Sequence, residues 1–425
     1  MNHNILKTII FDQHEVIKTA QIVSREYTFE QNVNYVVVGL RSAGKTTLLY
    51  KRVQDLIESG VEWEQIIYIN FEDERLAEFR TEDFNDIVSV QAELSDKKGY
   101  FFFDEMQIIK GWERFARRLA DSGESVFITG SNAKMLSREI ETVLGGRYLT
   151  KHVHPYNFRE YLSASGISFD EKALLGTRSD GVIRRYFSEY IRFGGFPETL
   201  MFTSKREYLQ SIYQRVLLGD IIARNGIRND YAIRIMMKKI AETVQNEISY
   251  TKLHKAITSV GAAVSKDSVI DYVEYAKSAY LLFDIKNYYA KFSEREGNPK
   301  FYFSDNGLIN LFLTGNDTAS LENLIAIYLY QRFGEEVYYL KSQKTKVDID
   351  FYVHRTNTAI QVAYALSGTS REREIGNLEN LAAHSNDIAR FIIVTYEEEE
   401  TISTGSCTIE VIPAYKFLLD LGQLT

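Results

Sequence analysis

The 425-residue sequence predicts an α/β protein with a parallel-sheet core at the N-terminus, a helical middle and a second α/β region. Near the N-terminus, short β-branched and aromatic runs alternate with helix-like segments, which is the pattern of βαβ units. Residues 156–230 have a helical pattern that is broken by the turn at 194–197. Strand-like runs return after residue 300, which indicates the second α/β region.

The composition is typical of a globular protein, with 45% hydrophobic and 25% charged residues. The single cysteine, Cys407, excludes a disulfide framework and a cysteine-based metal site, which favours a reducing compartment. The first residues lack a signal-peptide pattern, and no window approaches the roughly 18 apolar residues of a transmembrane helix. We therefore expect a cytoplasmic protein of roughly two to three domains, with no membrane-spanning segment.

The formal net charge of −8 is unevenly distributed along the chain. Residues 201–300 contain 16 lysines and arginines and 11 acids, a balance of +5. Residues 301–425 contain 9 and 17 respectively, a balance of −8. If part of the chain binds nucleic acid, the charge distribution favours the middle region.

Residues 39–46, GLRSAGKT, carry the complete phosphate-binding pattern G-x-x-x-x-G-K-[ST]. The glycines let the backbone curl so that its N–H groups point at phosphate oxygens. Lys45 would reach the β- and γ-phosphates, and the Thr46 hydroxyl would bind Mg²⁺. The preceding apolar run predicts a strand and the following segment a helix, so we expect ATP and Mg²⁺ as cofactors. The predicted cofactor-binding residues of this Walker A motif are Gly39, Arg41, Ser42, Ala43, Gly44, Lys45, Thr46 and Thr47.

Residues 65–71 and 100–105 predict the second and third strands, and the third ends in two acids, Asp104 and Glu105. An apolar strand that delivers Asp and then Glu, about 60 residues after a phosphate loop, is the Walker B pattern. Asp104 would hold the Mg²⁺ shell. Glu105 would orient or deprotonate the attacking water.

Residues 125–132 predict a fourth strand that ends in polar side chains. Ligands of open α/β sheets bind at the carboxyl ends of the strands. Asn132 is therefore a candidate sensor of the γ-phosphate or of the water, with Thr129 and Ser131 as rivals. A helix N-cap is the alternative role for Ser131, since a helix is expected over 133–143.

Arg147 follows two glycines and precedes a fifth predicted strand over 148–153. It could neutralise charge that develops on the γ-phosphate, as arginine fingers do, and an ordinary surface arginine is the alternative. His152 and His154 share one strand face without an evident third ligand, which favours structural roles for both.

Several motifs together resemble a family of predicted bacterial and archaeal AAA+ ATPases with a C-terminal domain of uncharacterised function. The resemblance implies an AAA+ core, a winged-helix segment and a C-terminal fold like restriction endonucleases. It also implies the sensor role of Asn132 and the finger role of Arg147, which in AAA+ proteins usually acts on a neighbouring subunit of an oligomer. The motifs are GLRSAGKTTLL, YFFFDEMQIIKGWERF, FITGSNAKMLSREIETVLGGR and HPYNFREYL, and the likeness continues through 194–197, 249–253, 322–323 and 360–363.

Two Ser-capped helices over 248–257 and 264–276 and a wing strand over 281–289 predict a winged helix. Double-stranded DNA is a candidate partner of this region. Acids on the second helix oppose phosphate binding, so packing against protein is the alternative. The lysines that would follow a DNA backbone are Lys252, Lys255, Lys266, Lys286 and Lys291.

The last region resembles a PD-(D/E)xK nuclease in the order of its elements. Glu322 fills the position of the helix acid and Asp350 that of the first strand acid. Gln361 and Ala363, however, stand where the acid and the lysine of the D/E-x-K element belong. We expect a weak or inactive nuclease, because an amide binds Mg²⁺ poorly and alanine transfers no proton. Asp348 is a candidate replacement for the missing acid, and with it a metal-dependent nuclease stays an alternative.

The predicted domains are a core over 1–155, a helical lid over 156–230, a winged-helix-like domain over 231–298 and a degenerate nuclease-like domain over 299–425. The predicted function is an ATPase that uses Mg-ATP to switch the arrangement of the later domains, with Arg147 acting in trans in a homo-oligomer. The alternatives are a nucleotide-gated DNA-binding or protein-interaction module with little turnover, and a metal-dependent nuclease.

Overall fold

The computed structural model describes residues 1–132, 142–169, 174–313 and 315–419. The chain forms two compact units. The first unit is Met1–His154 with Ser278–Tyr280, and the second unit is Pro155–Lys277 with Leu281–Thr425. The helix expected over 133–143 lies almost entirely outside the described residues, and the predicted four-domain division stays a prediction.

Within the described residues of the first unit, five parallel strands form one sheet in the order β2-β3-β4-β1-β5. Each corresponds to a strand predicted from an apolar run, and the predicted bounds differ by one or two residues at the ends. Their side chains form most of the unit's core, because β1 to β4 are buried along nearly their whole length. The strands are β1 (Asn34–Val38), β2 (Ile66–Asn70), β3 (Tyr100–Asp104), β4 (Ser125–Gly130) and β5 (Tyr148–His152).

Helices of the first unit connect these strands and cover the sheet. The helix Lys45–Glu58 begins directly after the phosphate loop, as predicted. The N-terminal helix contacts β2 and the helix Phe84–Leu94, and it buries Leu6, Ile9 and Ile10. Among the described residues, the α-helices of this unit are His3–Thr19, Lys45–Glu58, Phe84–Leu94 and Trp112–Asp121.

Within the described residues of the second unit, eight strands form a mixed sheet in the order β12-β13-β11-β10-β9-β8-β6-β7. The predicted wing strand is β6, and it lies inside this sheet. It pairs antiparallel with β7 and parallel with β8, so its edges are both occupied. The strands are β6 (Leu282–Asn287), β7 (Lys300–Phe303), β8 (Val337–Ser342), β9 (Val347–Val353), β10 (Thr358–Val362), β11 (Arg390–Thr395), β12 (Glu400–Ser403) and β13 (Thr408–Pro413).

Two helices of the second unit begin at the serine caps that the sequence predicted. The Ser249 hydroxyl accepts from the Lys252 N–H at 3.2 Å, and the Ser265 hydroxyl accepts from the Ser268 N–H at 3.0 Å. None of the helices in the described ranges combines the length and the apolar character needed to cross a membrane. In the part of this unit that the structure describes, the α-helices are Phe158–Ala164, Thr177–Phe193, Lys205–Arg215, Asp230–Glu242, Tyr250–Ser259, Lys266–Ser278, Phe292–Gly297, Asn306–Ile309, Asp317–Phe333, Gly368–His384 and Ala414–Leu419, and Val216–Ala223 is a π-helix.

The turn at 194–197 closes the helix Thr177–Phe193 and is held from both sides. The Gly195 carbonyl accepts from the Tyr156 N–H at 2.7 Å, and the Gly195 N–H donates to the Asp305 carboxylate at 2.7 Å. A Cβ on Gly195 would lie 2.0 Å from the Tyr156 carbonyl oxygen. Glycine is therefore required here because two backbone segments approach each other closely.

We expect Gly195→Ala to destabilise the second unit by about 3 kcal/mol or more, because backbone must move to admit the methyl group. Urea unfolding monitored by circular dichroism measures this loss. Gly181→Ala is the matched control, since Gly181 lies in the helix Thr177–Phe193 with open space around its Cβ position. That control should be neutral or stabilising by up to about 1 kcal/mol. Equal stabilities for the two variants would contradict the close-approach argument.

Candidate functional site

The phosphate loop joins β1 to the helix Lys45–Glu58 and has the backbone geometry of an anion cradle. Ser42 and Gly44 have φ values of 62° and 95°, in the left-handed region that turns successive N–H groups toward one point. Gly39 is required by space as well, because a Cβ there would lie 2.0 Å from the Val153 carbonyl oxygen. The loop therefore presents main-chain donors at the N-terminus of a helix, where an anion is stabilised.

Lys45 and Thr46 extend this cradle with side chains. The Lys45 ammonium is buried and donates to the Gly39 and Leu40 carbonyls at 3.0 and 3.2 Å. It also lies 3.9 Å from the Glu105 carboxylate. The Thr46 hydroxyl donates to the Asp104 carboxylate at 2.7 Å. The sequence pattern predicted that these two Walker motifs meet, and the structure brings them into direct contact.

Asp104 is the centre of a hydroxyl network at the carboxyl end of β3. It is 2% exposed, and its carboxylate accepts from the hydroxyls of Thr46, Thr129 and Tyr68. Burial raises the pKa of Asp104, while the hydrogen bonds from Thr129 and Thr46 oppose that rise. The three hydroxyls thus supply hydrogen bonds to a charged group that water hardly reaches.

Glu105 adopts an unusual backbone conformation for a residue with a side chain. Its φ of 51° and ψ of 39° lie in the left-handed region, at the start of a short 3-10 turn. The Glu105 N–H donates to the Thr129 hydroxyl at 2.9 Å, which anchors this conformation. Its carboxylate accepts from the Ser131 hydroxyl at 3.2 Å and from the Gln107 amide. Strain of this kind persists where neighbouring groups hold it, and it concentrates at functional sites.

The three candidate sensor residues lie at the carboxyl end of β4, with Thr129 inside the strand and Ser131 and Asn132 just after it. The Thr129 hydroxyl donates to Asp104 and accepts from the Glu105 N–H, and the Ser131 hydroxyl donates to the Glu105 carboxylate. Asn132 is 4% exposed and follows directly. Of the three candidates, Ser131 thus has a side-chain hydrogen bond to the carboxylate of the candidate base, Glu105. The sequence had also suggested a helix N-cap for Ser131. The sensor role of Asn132 stays a prediction.

Arg147 lies at the other end of the sheet. It precedes β5, and Tyr148 pairs with Asn34 at the start of β1, whereas the phosphate loop follows the end of β1. At about 3.3 Å per strand residue, roughly 15 Å separate Arg147 from that loop. Its guanidinium pairs with Asp121 and donates to nearby carbonyls. Arg147 therefore does not reach the nucleotide site of its own chain, and its finger role in a neighbouring copy stays a prediction beside the alternative of an ordinary surface arginine.

The segment before β1 contributes residues that the sequence analysis missed. Arg25 donates to the Ala43 carbonyl of the phosphate loop at 3.0 Å and to the His154 carbonyl at 2.8 Å. The Tyr27 hydroxyl accepts from the His154 N–H at 3.3 Å. Burial lowers the pKa of His154 to about 3, so that ring is neutral and structural. No local motif marks Arg25, because its role depends on distant backbone.

The oxygen donors present fit a magnesium-bound nucleoside triphosphate. Mg²⁺ is usually bound by one or two protein oxygens together with phosphates and water. The Thr46 hydroxyl and the Asp104 carboxylate provide two such oxygens side by side. Within the described ranges no group of three or more His, Cys, Asp or Glu side chains forms a metal cage, so a metal here would need phosphate ligands as well.

A second cluster lies in the second unit, in a pocket of about 300 Å³. Glu322 and Asp350, the two predicted acids, meet there, and Lys300 of β7 lies between them at 3.4 Å from each carboxylate. Ala363, at the expected lysine position, instead continues the sheet through its N–H to Val394. The sequence analysis missed Lys300 because it precedes Glu322 in the chain and reaches the cluster only through the pairing of β7.

Gln361 has a structural role in this cluster. Its amide oxygen accepts from the Asp350 N–H at 2.8 Å, and its amide nitrogen donates to the Asp348 carbonyl at 3.1 Å. A carboxylate could accept the first bond but could not donate the second. The amide is therefore matched to the backbone of β9 rather than to a metal ion.

The comparisons with known proteins agree with the loop geometry. The family model of an AAA domain matches residues 31–162, and a domain of unknown function, DUF8612, matches residues 184–320. The chain is 32% identical to the uncharacterized protein MJ1544 of Methanocaldococcus jannaschii, over 98% of this chain and 95% of that one. It is 28% identical to an uncharacterized protein of Haemophilus influenzae, over 94% and 99% of the two chains.

Likenesses to solved structures are weaker. The Walker-type ATPase of Pyrococcus abyssi is 12% identical with a TM-score of 0.41, over 70% of this chain and 99% of that one. The Orc1 protein of Aeropyrum pernix, solved in complex with DNA, is 14% identical with a TM-score of 0.27, over 76% and 93% of the two chains.

The fold of the first unit and its phosphate loop define an AAA-type ATPase domain, and the matching family model covers the five strands and the loop. The chain belongs to the family of the M. jannaschii protein MJ1544, with an AAA domain followed by DUF8612.

We expect Thr129→Val to weaken magnesium-dependent ATP binding most strongly at acidic pH. The variant removes the hydroxyl that donates to Asp104, so the raised pKa of Asp104 rises further. Because Mg²⁺ needs the ionised carboxylate, binding is lost as pH falls through that pKa. The midpoint of loss should therefore move to higher pH. Titration of a fluorescent ATP analogue across the acid range measures the midpoint.

Thr150→Val is the control for this experiment, because Thr150 is an exposed threonine on β5. Its midpoint should equal that of the unaltered protein. An unchanged midpoint in folded Thr129→Val would show that the Thr129 hydroxyl does not lower the pKa of Asp104.

Proposed function

We propose that this protein binds ATP with Mg²⁺ and hydrolyses it. The observation that carries the proposal is the contact between the two Walker motifs. Thr46 donates to Asp104 at 2.7 Å, and Lys45 lies 3.9 Å from Glu105. A hydroxyl, two carboxylates and an ammonium are thus assembled beside a cradle of main-chain N–H groups, which is the chemistry that phosphoryl transfer needs.

Each group has a separate task in this mechanism. The loop N–H groups and Lys45 stabilise negative charge on the phosphates. Bound Mg²⁺ supplies further charge neutralisation, and Thr46 and Asp104 are the residues that would hold it. Glu105 orients the attacking water and accepts its proton. Ser131 and Gln107 contact the Glu105 carboxylate, so they position the base. Asn132 acts as the sensor.

Nucleotide turnover, in this proposal, switches the arrangement of the later regions, including the winged-helix-like segment. DNA contact by that segment is a finer part of the proposal. Within the described residues, Lys252, Lys255 and Lys266 are exposed, which supports it. Lys286 pairs with Glu296 at 2.7 Å and is less suited to phosphate.

We expect Glu105→Gln to retain ATP binding and to release phosphate at least about 10²-fold more slowly, because an amide cannot accept the proton. The amide keeps the size of the side chain and its contact with Ser131. Filter binding of labelled ATP and a coupled phosphate assay separate the two effects.

Glu78→Gln is the matched control, since Glu78 is an exposed acid of the same unit. It should leave both binding and turnover unchanged. Unchanged phosphate release in Glu105→Gln would remove the enzymatic role of Glu105 and favour the nucleotide-gated binding module.

We also propose that Arg147 serves the site of a neighbouring copy of the chain. Arg147→Ala alone and Glu105→Gln alone should each lose at least about 10²-fold in phosphate release. Mixing the two variants should restore activity, because some interfaces then pair an intact Glu105 with an intact Arg147. The mixing ratio that gives the highest phosphate release measures this complementation.

Arg117→Ala is the control for the mixing experiment, because Arg117 also pairs with Asp121 but lies in the helix Trp112–Asp121. It should be active without a partner variant. A mixture no more active than its components, or a fully active Arg147→Ala, would contradict the trans role.

A further inference from the structure

The pocket in the second unit has a charged floor. Lys300 and Glu322 are 4% and 2% exposed, and Asp350 stands beside them, part-buried on β9. Tyr302 and Gln245 complete the floor, and both donate to Glu322, at 2.9 and 3.2 Å. Charges this deep are tolerated only when they are paired and hydrogen-bonded, so the positions of their partners define what the site is built to hold.

The Lys300 ammonium occupies the point on which the two carboxylates converge. It lies 3.4 Å from a Glu322 oxygen and 3.4 Å from an Asp350 oxygen. The second Asp350 oxygen accepts from the Val362 N–H at 3.0 Å, which fixes the direction of that carboxylate. The Tyr339 ring, 5.5 Å from the ammonium, closes a further side. The Glu322 and Asp350 carboxylates, each with a further hydrogen-bond donor, thus share the Lys300 ammonium.

We propose that Lys300 takes the place of a divalent metal ion in this pocket, so that removal of its side chain opens a divalent-cation site on Glu322 and Asp350. Both carboxylates are already oriented by donors on their far sides, which preorganises them for a metal ion. Without the ammonium, two buried anions would face each other, and either protons or a divalent cation must relieve their repulsion. One or two carboxylates with water suit Mg²⁺ or Mn²⁺.

The location of Lys300 makes this exchange feasible. It is the first residue of β7, and its side chain contributes to the pocket floor rather than to the apolar core. Asp348 lines the same pocket, so it is a third oxygen donor within reach of a cation there. The inference concerns this pocket alone and does not depend on ATP hydrolysis in the first unit.

Calorimetric titration of the full-length, nucleotide-free protein with Mn²⁺ tests the proposal. Lys300→Ala should bind one Mn²⁺ at least about tenfold more tightly than the unaltered protein binds any at this pocket. Adding Glu322→Gln to that variant should abolish the gain. Binding should strengthen as pH rises, because the carboxylates must lose their protons.

Lys341→Ala is the matched control, because Lys341 lines the same pocket and pairs with Glu247 at 3.5 Å without touching either floor carboxylate. It should gain no Mn²⁺ site. If Lys300→Ala is poorly folded alone, Mn²⁺ should raise its melting temperature and leave that of Lys341→Ala unchanged.

Two results would overturn the proposal. One is folded Lys300→Ala with no gain in Mn²⁺ binding. The other is Mn²⁺ binding by the unaltered protein that Glu322→Gln removes, since a metal ion would then share the pocket with Lys300. The second measurement needs no change at Lys300, so it can overturn the proposal even if Lys300→Ala never folds.

Discussion

The buried Asp104 carboxylate is the constraint on which the architecture of the nucleotide site depends. A carboxyl group that is 2% exposed needs hydrogen-bond partners, and its donors come from three separate elements. Thr46 belongs to the loop helix, Tyr68 to β2 and Thr129 to β4. The Asp104 carboxylate, at the end of β3, therefore connects the loop helix to the two strands that flank β3. Hydroxyls donate to this carboxyl group without bringing a positive charge to it. The proposed metal ion would bind there, beside the place where phosphate would lie.

The same hydroxyl of Thr129 connects Asp104 to the strained residue beside it. It donates to Asp104 and accepts from the N–H of Glu105, whose φ of 51° costs on the order of 1 kcal/mol or more. In an extended conformation, Glu105 would continue β3 and its side chain would project from one face of the sheet. The left-handed turn instead brings its carboxylate to 3.9 Å from the Lys45 ammonium. The left-handed conformation of Glu105 thus places its carboxylate beside Lys45, and phosphoryl transfer would use this acid–lysine pair.

The sequence predicted local features well and missed those that depend on distant pairing. The strands β1 to β5 and the loop helix were predicted because each is specified by a contiguous run of residues, and the loop motif fixes its own geometry. The wing strand was located correctly as β6, but its membership in an eight-stranded sheet depends on β8, about 50 residues later. Arg25 and Lys300 lie in segments without a motif. Only the folded chain brings them to the backbone and to the acids that they contact.

The two acidic centres show how one chemical problem is solved in two ways. In the first unit a buried carboxylate is surrounded by neutral hydroxyls, so its charge stays available to a cation that arrives with phosphate. In the second unit two carboxylates surround an ammonium of the chain itself, so most of their charge is already spent. A lysine tethered by its own backbone has an effective concentration that a free metal ion rarely reaches. The identity of the counter-ion, more than the number of acids, therefore decides which of the two pockets can take up a metal ion.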